Sequence, residues 1–137
     1  MDIVHKLKQK VYYADTDAYG VVWHGSYIRW LEMGRVAFCD DIMKLSLVDM
    51  QNNDVVLPVV SLSINYKSPA KLSDDILIET RISSISKLSI VFEQVIRNPL
   101  TDNVYITAEI KVVAVNNSGV LYRKLPDILT STIKELV

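Results

Sequence analysis

The chain has 137 residues, half of them hydrophobic, and its 15 basic and 16 acidic residues give a formal net charge of −1. This length suits one domain with one core, and the balanced charge gives no sign of a polyanion-binding surface, so nucleic acid is not an expected partner. The single cysteine, Cys39, excludes an internal disulfide and suits a reducing compartment. No apolar run approaches the length of a membrane span. We therefore expect one domain, residues 1–137, in the cytoplasm.

The first half of the chain predicts one strand followed by one long helix. Residues 5–13 alternate between lysines and largely apolar side chains, which is typical of a strand with one solvated face. Gly20 marks a turn, and apolar residues then recur at helical spacing over residues 26–45. Gly34 lies within that apolar stripe although glycine lowers helix propensity, so it predicts a close approach of the helix to a sheet. Residues 47–56 are consistent with a short helix or a loop.

After Pro58 the hydrophobic period changes from helical spacing to two, which indicates strands. Four strands are predicted, over residues 59–66, 76–86, 89–97 and 104–116. The gap between the second and third of these is too short for a parallel crossover and predicts an antiparallel hairpin. A final helix is expected after Pro126. One strand, one long helix and several antiparallel strands together predict an α+β fold.

Residues 13–32 combine an acidic turn with the start of the long helix and read YADTDAYGVVWHGSYIRWLE. Asp17 stands at the turn, and His24 lies near the expected helix start. The first amides of a helix have no intrahelical partner and lie at the positive end of its dipole. An oxyanion developing at a thioester carbonyl needs such donors, and a nearby carboxylate can attack the carbonyl or activate a water. The segment therefore predicts hydrolysis without a metal, a cysteine or a serine nucleophile.

This segment closely resembles the acyl-CoA thioesterases of the 4-hydroxybenzoyl-CoA thioesterase type. Asp15 and Asp17, then residues 20–24 and 27–32, match the signature of that family in order and without gaps, and residues 67–71 extend the match. The resemblance implies the hot-dog fold, an antiparallel sheet wrapped around one long central helix. It implies hydrolysis of acyl-CoA to an acid and CoA, with no cofactor because CoA is part of the substrate. It also implies a homodimer or homotetramer whose paired subunits complete each pocket.

The resemblance assigns catalysis to Asp17 as nucleophile or general base, and these two roles remain open. His24 is expected to offer its amide to the oxyanion, and its imidazole to orient water or stabilise charge. Asp15 is expected to bond loop amides and hold Asp17 in place. Glu32 is the rival base, to be preferred if Asp17 points away. Ser26 is expected to cap the helix and not to act as nucleophile, because no G-x-S-x-G context surrounds it.

Coenzyme A carries phosphates, so we expect a few cations at the mouth of the pocket. Lys67 and Lys71 follow the second predicted strand, and Lys87 stands at the hairpin. By resemblance, Lys87 and Ser89 fall where relatives bind the nucleotide end. The pair at residues 123–124 is a further candidate. We expect these contacts to be local, since the chain carries no general positive charge.

Aromatic residues are expected in the core or around the acyl group, namely Tyr13, Trp23, Tyr27 and Trp30. Cys39 is expected to be a packed thiol. The two aspartates of the signature with His24 are the only approach to a metal site, and they lack further ligands, so no metal is expected.

Two other classes of function remain as alternatives. The first is a non-hydrolytic module that binds acyl-CoA or acyl-carrier protein. The second is a hot-dog dehydratase, whose histidine–carboxylate arrangement is not found here in that order. The acyl group remains open among aryl, naphthoyl, short-chain and fatty groups, and so does the choice between CoA and carrier-protein thioesters.

Overall fold

The computed structural model describes residues 3–134 and residue 136. Its elements are β1 (His5–Lys10), α1 (His24–Phe38), α2 (Leu47–Asn52), β2 (Val59–Tyr66), β3 (Asp75–Ile85), β4 (Ser89–Arg97), β5 (Val104–Val113) and α3 (Asp127–Ile133). The strands form one sheet in the order β1-β3-β4-β5-β2, and every neighbouring pair is antiparallel. The predicted α+β class and the β3–β4 hairpin are confirmed.

The inner face of the sheet is buried at alternate positions, as the period of two predicts. Ile90, Phe92, Gln94 and Ile96 are all buried in β4, and the even-numbered residues 106–112 are buried in β5. Helix α1 packs on this face against β1, β3 and β4. The sheet and the helix therefore bury one continuous apolar core between them.

Gly34 is the point at which α1 comes closest to the sheet. A Cβ atom at this position would lie 2.7 Å from Cγ2 of Ile78 and from Oγ1 of Thr80. Next to it, the buried Gln94 amide donates to the carbonyl of Leu31 and to Oγ1 of Thr80, both at 2.9 Å. The predicted close approach is confirmed. Because a buried amide left without partners would cost roughly 1–3 kcal/mol, these bonds fix where α1, and hence its first turn, lies on the sheet.

The long helix lies two residues earlier in the chain than its hydrophobic pattern predicts. Its α-helical part starts at His24 and ends at Phe38, and one π-helical turn, Cys39–Met43, continues it. Lys44 ends the helix in the left-handed region, with φ 56°. Leu45 is still buried, so the apolar stripe continues one step beyond the helix itself.

The two outer strands of the sheet differ in their chemistry. β1 exposes Lys6, Lys8 and Lys10, and such charges discourage pairing with a further strand. β2 carries no charged residue and is exposed at all but one of its positions. Val60 and Leu62 on β2 are 56% and 41% exposed. The β2 edge is thus long, uncharged and partly apolar, which is unusual for an edge that stays open to water.

Candidate active site

Asp17 lies in a tight turn that immediately precedes α1. Its amide donates to the carbonyl of Val21 at 2.8 Å, and the amide of Gly20, at φ 78°, donates back to the Asp17 carbonyl at 3.1 Å. The Asp17 side chain is exposed, and its Oδ1 accepts a hydrogen bond from the amide of Tyr19 at 2.8 Å. Its Oδ2 has no hydrogen-bond partner among the described residues. One carboxylate oxygen is therefore held by the backbone, while the other has no such restraint within the described part of the chain.

Asp15 joins this turn to the helix. It is only 2% exposed, and its Oδ1 accepts from Nη2 of Arg29 at 2.6 Å while its Oδ2 accepts from the amide of Tyr12 at 2.9 Å. Its carbonyl accepts from the Trp23 amide and from the Ser26 hydroxyl, both at 3.1 Å. The prediction that Asp15 bonds a loop amide is confirmed. Its wider role, holding Asp17 in place, stays a prediction.

The first turn of α1 presents two backbone donors. Trp23 is the N-cap residue, and no side chain caps the helix. The amide of Ser26 donates to the Trp23 carbonyl at 3.0 Å, but those of His24 and Gly25 make no hydrogen bond within the described part of the chain. The helix dipole places roughly half a positive charge at this end. Two free amides in this position are suited to binding an oxyanion.

The prediction that Ser26 caps the helix is wrong. Ser26 lies within the first turn and is buried, and its hydroxyl donates to the Asp15 carbonyl instead of accepting from a helix amide. The helix starts earlier because the Trp23 amide is bonded to that same carbonyl. A tertiary contact thus decides the start of this helix, and local capping preference does not.

An open cleft of about 460 Å³ lies beside the helix start. Its lining consists of Val22, His24, Tyr27, Tyr66, Lys67, Ser68 and Pro69. The cleft therefore brings together two residues that the sequence proposes for the site, His24 and Lys67. Tyr27 and Tyr66 make one of its walls aromatic.

The loop after β2 is fastened to the Asp17 turn. Lys71 forms an isolated backbone bridge with Val21, and the Val22 amide donates to the carbonyl of Ala70 at 2.9 Å. The Ala70 amide in turn donates to the Tyr27 hydroxyl at 2.9 Å. Burial raises the pKa of Tyr27, so this phenol remains neutral at physiological pH. Lys71 is thereby fixed next to the acidic turn.

Lys87 and Ser89 lie at the opposite end of the sheet from Lys71. Eleven residues of β3 separate the two ends, a span of roughly 35 Å at the usual rise per residue. Lys87 is exposed, and its carbonyl accepts from the Leu125 amide. Ser89 is buried, and its hydroxyl is 2.7 Å from that of Ser86. Within this chain, the four proposed CoA-binding residues therefore do not form one site.

A second cavity, of about 210 Å³, lies further along α1. Glu32, Arg35, Val36, Cys39, Leu47, Leu57, Val59, Phe92 and Val112 line it. Glu32 is exposed at its rim, and Nη1 of Arg35 donates to the Gln94 amide oxygen at 3.2 Å. Burial lowers the pKa of Arg35 and raises the pKa of the Cys39 thiol to about 11. Cys39 is therefore protonated near neutral pH and is a packed thiol, as predicted.

The aromatic residues expected in the core or the pocket have different environments. Trp30 is fully buried, Tyr27 lines the cleft, and Trp23 is 44% exposed at the helix start. Tyr13 lies in the short 3₁₀ turn Tyr13–Asp15, not in β1, and is 81% exposed. The prediction that residue 13 ends the first strand is wrong, because the turn begins where Asp15 accepts the Tyr12 amide.

The described residues contain no group of three or more His, Cys, Asp or Glu side chains placed to hold a metal ion. None of the helices in that part of the chain is long and apolar enough to cross a membrane.

Comparison with known proteins identifies the class. Residues 11–134 match the sequence profile of the thioesterase-like superfamily. The chain is 34% identical over 127 residues to the acyl-CoA thioester hydrolase YbgC of Escherichia coli O6:H1, a match covering 92% of each protein. A probable thioesterase from Bartonella henselae is 28% identical with a TM-score of 0.83, covering 90% of this chain and 100% of that one. A 1,4-dihydroxy-2-naphthoyl-CoA thioesterase from Synechocystis shares the fold at 23% identity and a TM-score of 0.86, with 97% of each chain covered.

An antiparallel sheet around one long helix is the hot-dog fold, and with these matches it defines a thioester hydrolase. The chain belongs to the thioesterase-like superfamily. The family and the fold that residues 13–32 predict are both confirmed.

Proposed function

We propose that this hot-dog domain is an acyl-CoA thioesterase that uses Asp17 and the first turn of α1. The observation that carries the proposal is the pair of free amides, His24 and Gly25, that directly follows the Asp17 turn. The similarity to a named acyl-CoA thioester hydrolase along most of the chain supports it. The substrate carbonyl oxygen would accept from these amides, which stabilise the negative charge that develops on it.

Asp17 has two chemically balanced routes to the products. As a nucleophile, its free Oδ2 adds to the thioester carbonyl carbon, the C–S bond breaks, and CoA leaves as a thiolate that takes a proton from solvent. Water then hydrolyses the mixed anhydride to the acid and the regenerated carboxylate. As a general base, Asp17 instead takes a proton from the water that adds to the carbonyl carbon; the C–S bond then breaks, and the proton passes from Asp17 to the leaving thiolate, which regenerates the carboxylate. The bond from the Tyr19 amide to Oδ1 supports either route, because it orients the carboxylate without occupying both oxygens.

We also propose that the protein is a homodimer joined through β2. The uncharged edge of β2 supports this, as does its contrast with the lysine-bearing edge of β1. If β2 paired with its copy across a two-fold axis, the two strands would be antiparallel and the joined sheet would have twice as many strands. A further association into a tetramer is expected from the family resemblance alone.

Such a dimer would reunite the proposed CoA-binding residues. Because β2 meets its copy in the antiparallel sense, the hairpin end of one subunit comes to the same side as the cleft of the other. Lys87 of the partner subunit would then join Lys67 and Lys71 near the mouth of the cleft. Ser89 is buried against Ser86, so we expect it to support the hairpin and to reach the nucleotide only if its side chain reorients.

A non-hydrolytic acyl-CoA binding module is the second candidate, and one observation favours it. The bond from the Tyr19 amide to Asp17 is also what an aspartate makes when its role is only to shape a turn. Such a module would bind acyl-CoA in the same cleft and release no thiol.

The proposed function is tested by incubating the protein with short-chain, fatty, aryl and naphthoyl CoA thioesters and following free thiol. We expect thiol release from at least one of them. Assaying the same acyl group as a carrier-protein thioester then shows whether the enzyme prefers CoA or carrier protein. Binding of every thioester without thiol release would favour the binding module. Location in the cytoplasm stays a prediction from the single cysteine.

A further inference from the structure

The indole of Trp23 lies directly on Gly25. A Cβ atom built on Gly25 would be 2.1 Å from two carbons of the six-membered indole ring and 2.8 Å from a third. Real Cβ atoms do not approach ring carbons this closely, so the ring can occupy this place only because residue 25 is glycine. Trp23 is nevertheless 44% exposed, so part of its surface remains accessible beside the helix start.

The same indole also contacts the His24 ring. The two ring centroids are 5.4 Å apart and the planes meet at 75°, an edge-to-face contact. The His24 side chain is exposed and makes no hydrogen bond within the described ranges. Among the described residues, Trp23 is the only one whose ring contacts this imidazole.

We propose that Trp23 determines acyl specificity, acting as a wall beside the two free amides; the inference rests on the proposed function. A carbonyl oxygen bonded to the amides of His24 and Gly25 brings its carbon, and the next carbon of the acyl group, alongside the indole. A straight or flat acyl group lies along the ring. A branch on the carbon next to the carbonyl collides with it. One methyl group in such a pocket typically changes kcat/KM about 10- to 200-fold.

The test compares butyryl-CoA with its branched isomer, 2-methylpropanoyl-CoA. Wild type should prefer the straight chain, and Trp23→Ala should reduce that preference by about tenfold or more. Gly25→Ala should do the same, because its methyl group displaces the ring, whereas Trp23→Phe should retain most of the preference. In the double variant, Gly25→Ala should have no further effect, since the ring it displaces is gone. An unchanged preference in Trp23→Ala, or an equal effect of Gly25→Ala with and without Trp23, would overturn the proposal.

A binding measurement separates this inference from the proposed hydrolysis. Non-hydrolysable analogues of both substrates, with a methylene between sulfur and carbonyl, are titrated calorimetrically into wild type and Trp23→Ala. If wild type hydrolyses none of the thioesters but its preference between the analogues depends on Trp23, the specificity proposal holds and the proposed hydrolysis is wrong. If hydrolysis occurs but the preference for the straight chain depends on Trp23 neither in hydrolysis nor in analogue binding, only the specificity proposal is wrong. If wild type binds neither analogue, the specificity proposal fails, and if it also releases thiol from none of the short-chain, fatty, aryl and naphthoyl thioesters, the proposed hydrolysis fails as well.

Discussion

Replacing Asp15 with alanine should loosen the segment that carries the proposed active site. The lost interactions are one buried, charge-assisted bond to the Tyr12 amide and one ion pair with Arg29. The first is worth about 1.5–3 kcal/mol. The Arg29 side chain is 55% exposed, so its pair with Asp15 is discounted to roughly 0.5–1 kcal/mol. Together these give a loss of about 2–4 kcal/mol in the free energy of unfolding.

Urea denaturation at fixed protein concentration measures this loss, and Asp41→Ala is the matched control. Asp41 is an exposed carboxylate with a single bond, at 2.7 Å, to the buried His5, so its removal should cost less than that of Asp15, which loses two bonds. We also expect kcat to fall in Asp15→Ala under conditions where the protein remains folded, because the turn bearing Asp17 loses its attachment to α1. A loss below about 1 kcal/mol with unchanged kcat would refute the reasoning.

Two further predictions concern assembly and CoA binding. Leu62→Lys places a charge on the open β2 edge and should shift the protein from dimer to monomer. Light scattering at micromolar concentration measures this, and Lys8→Ala on the β1 edge, the control, should leave the dimer intact. A wild-type protein that is already a stable monomer would contradict the proposed dimer. Lys87→Ala should raise KM for acyl-CoA by about three- to tenfold with nearly unchanged kcat, and the effect should weaken with salt, because a phosphate contact far from the thioester acts equally on ground and transition states. A truncated thioester without the nucleotide should be unaffected, and an equal loss with both substrates would assign Lys87 a structural role.

Most of the fold could be predicted from hydrophobic period. The bounds of β2 and β4 agree with the predicted ranges 59–66 and 89–97, and the alternating residues of β3, β4 and β5 are buried as expected. β3 and β4 pack against α1 on their buried face, so their hydrophobic pattern records that environment directly. Gly34 was also informative. Glycine lowers helix propensity, so its presence inside a helix indicates a close neighbour that leaves no room for a side chain.

The details that could not be predicted depend on contacts between distant residues. The Asp15 carbonyl bonds both the Trp23 amide and the Ser26 hydroxyl, and this sets a helix start that capping preference places later. The hydrophobic period of two extends to β2, yet this strand is an edge and is exposed on nearly every residue. The separation of Lys87 from Lys71, by contrast, follows from the length of β3, the strand between them, which the hydrophobic pattern does predict.

Some features of the candidate site could likewise be predicted from the sequence, and others could not. The Asp17 turn and the free amides near His24 are local features, so a continuous segment of sequence could reveal them. The Trp23 ring on Gly25 could not be predicted, because several rotamers were open to that side chain and only its packing selects one.

The central claim is that Asp17 carries out the reaction. The direct measurement is thiol release from the best acyl-CoA substrate by wild type, Asp17→Asn and Glu32→Gln, with folding checked by circular dichroism. The buried Cys39 should add little background to the thiol reagent. Asp17→Asn should lower kcat by about 10²–10⁴ while still binding CoA, and Glu32→Gln should change it far less. Near wild-type kcat in Asp17→Asn, with the loss appearing in Glu32→Gln, would contradict the account and move the catalytic role to Glu32.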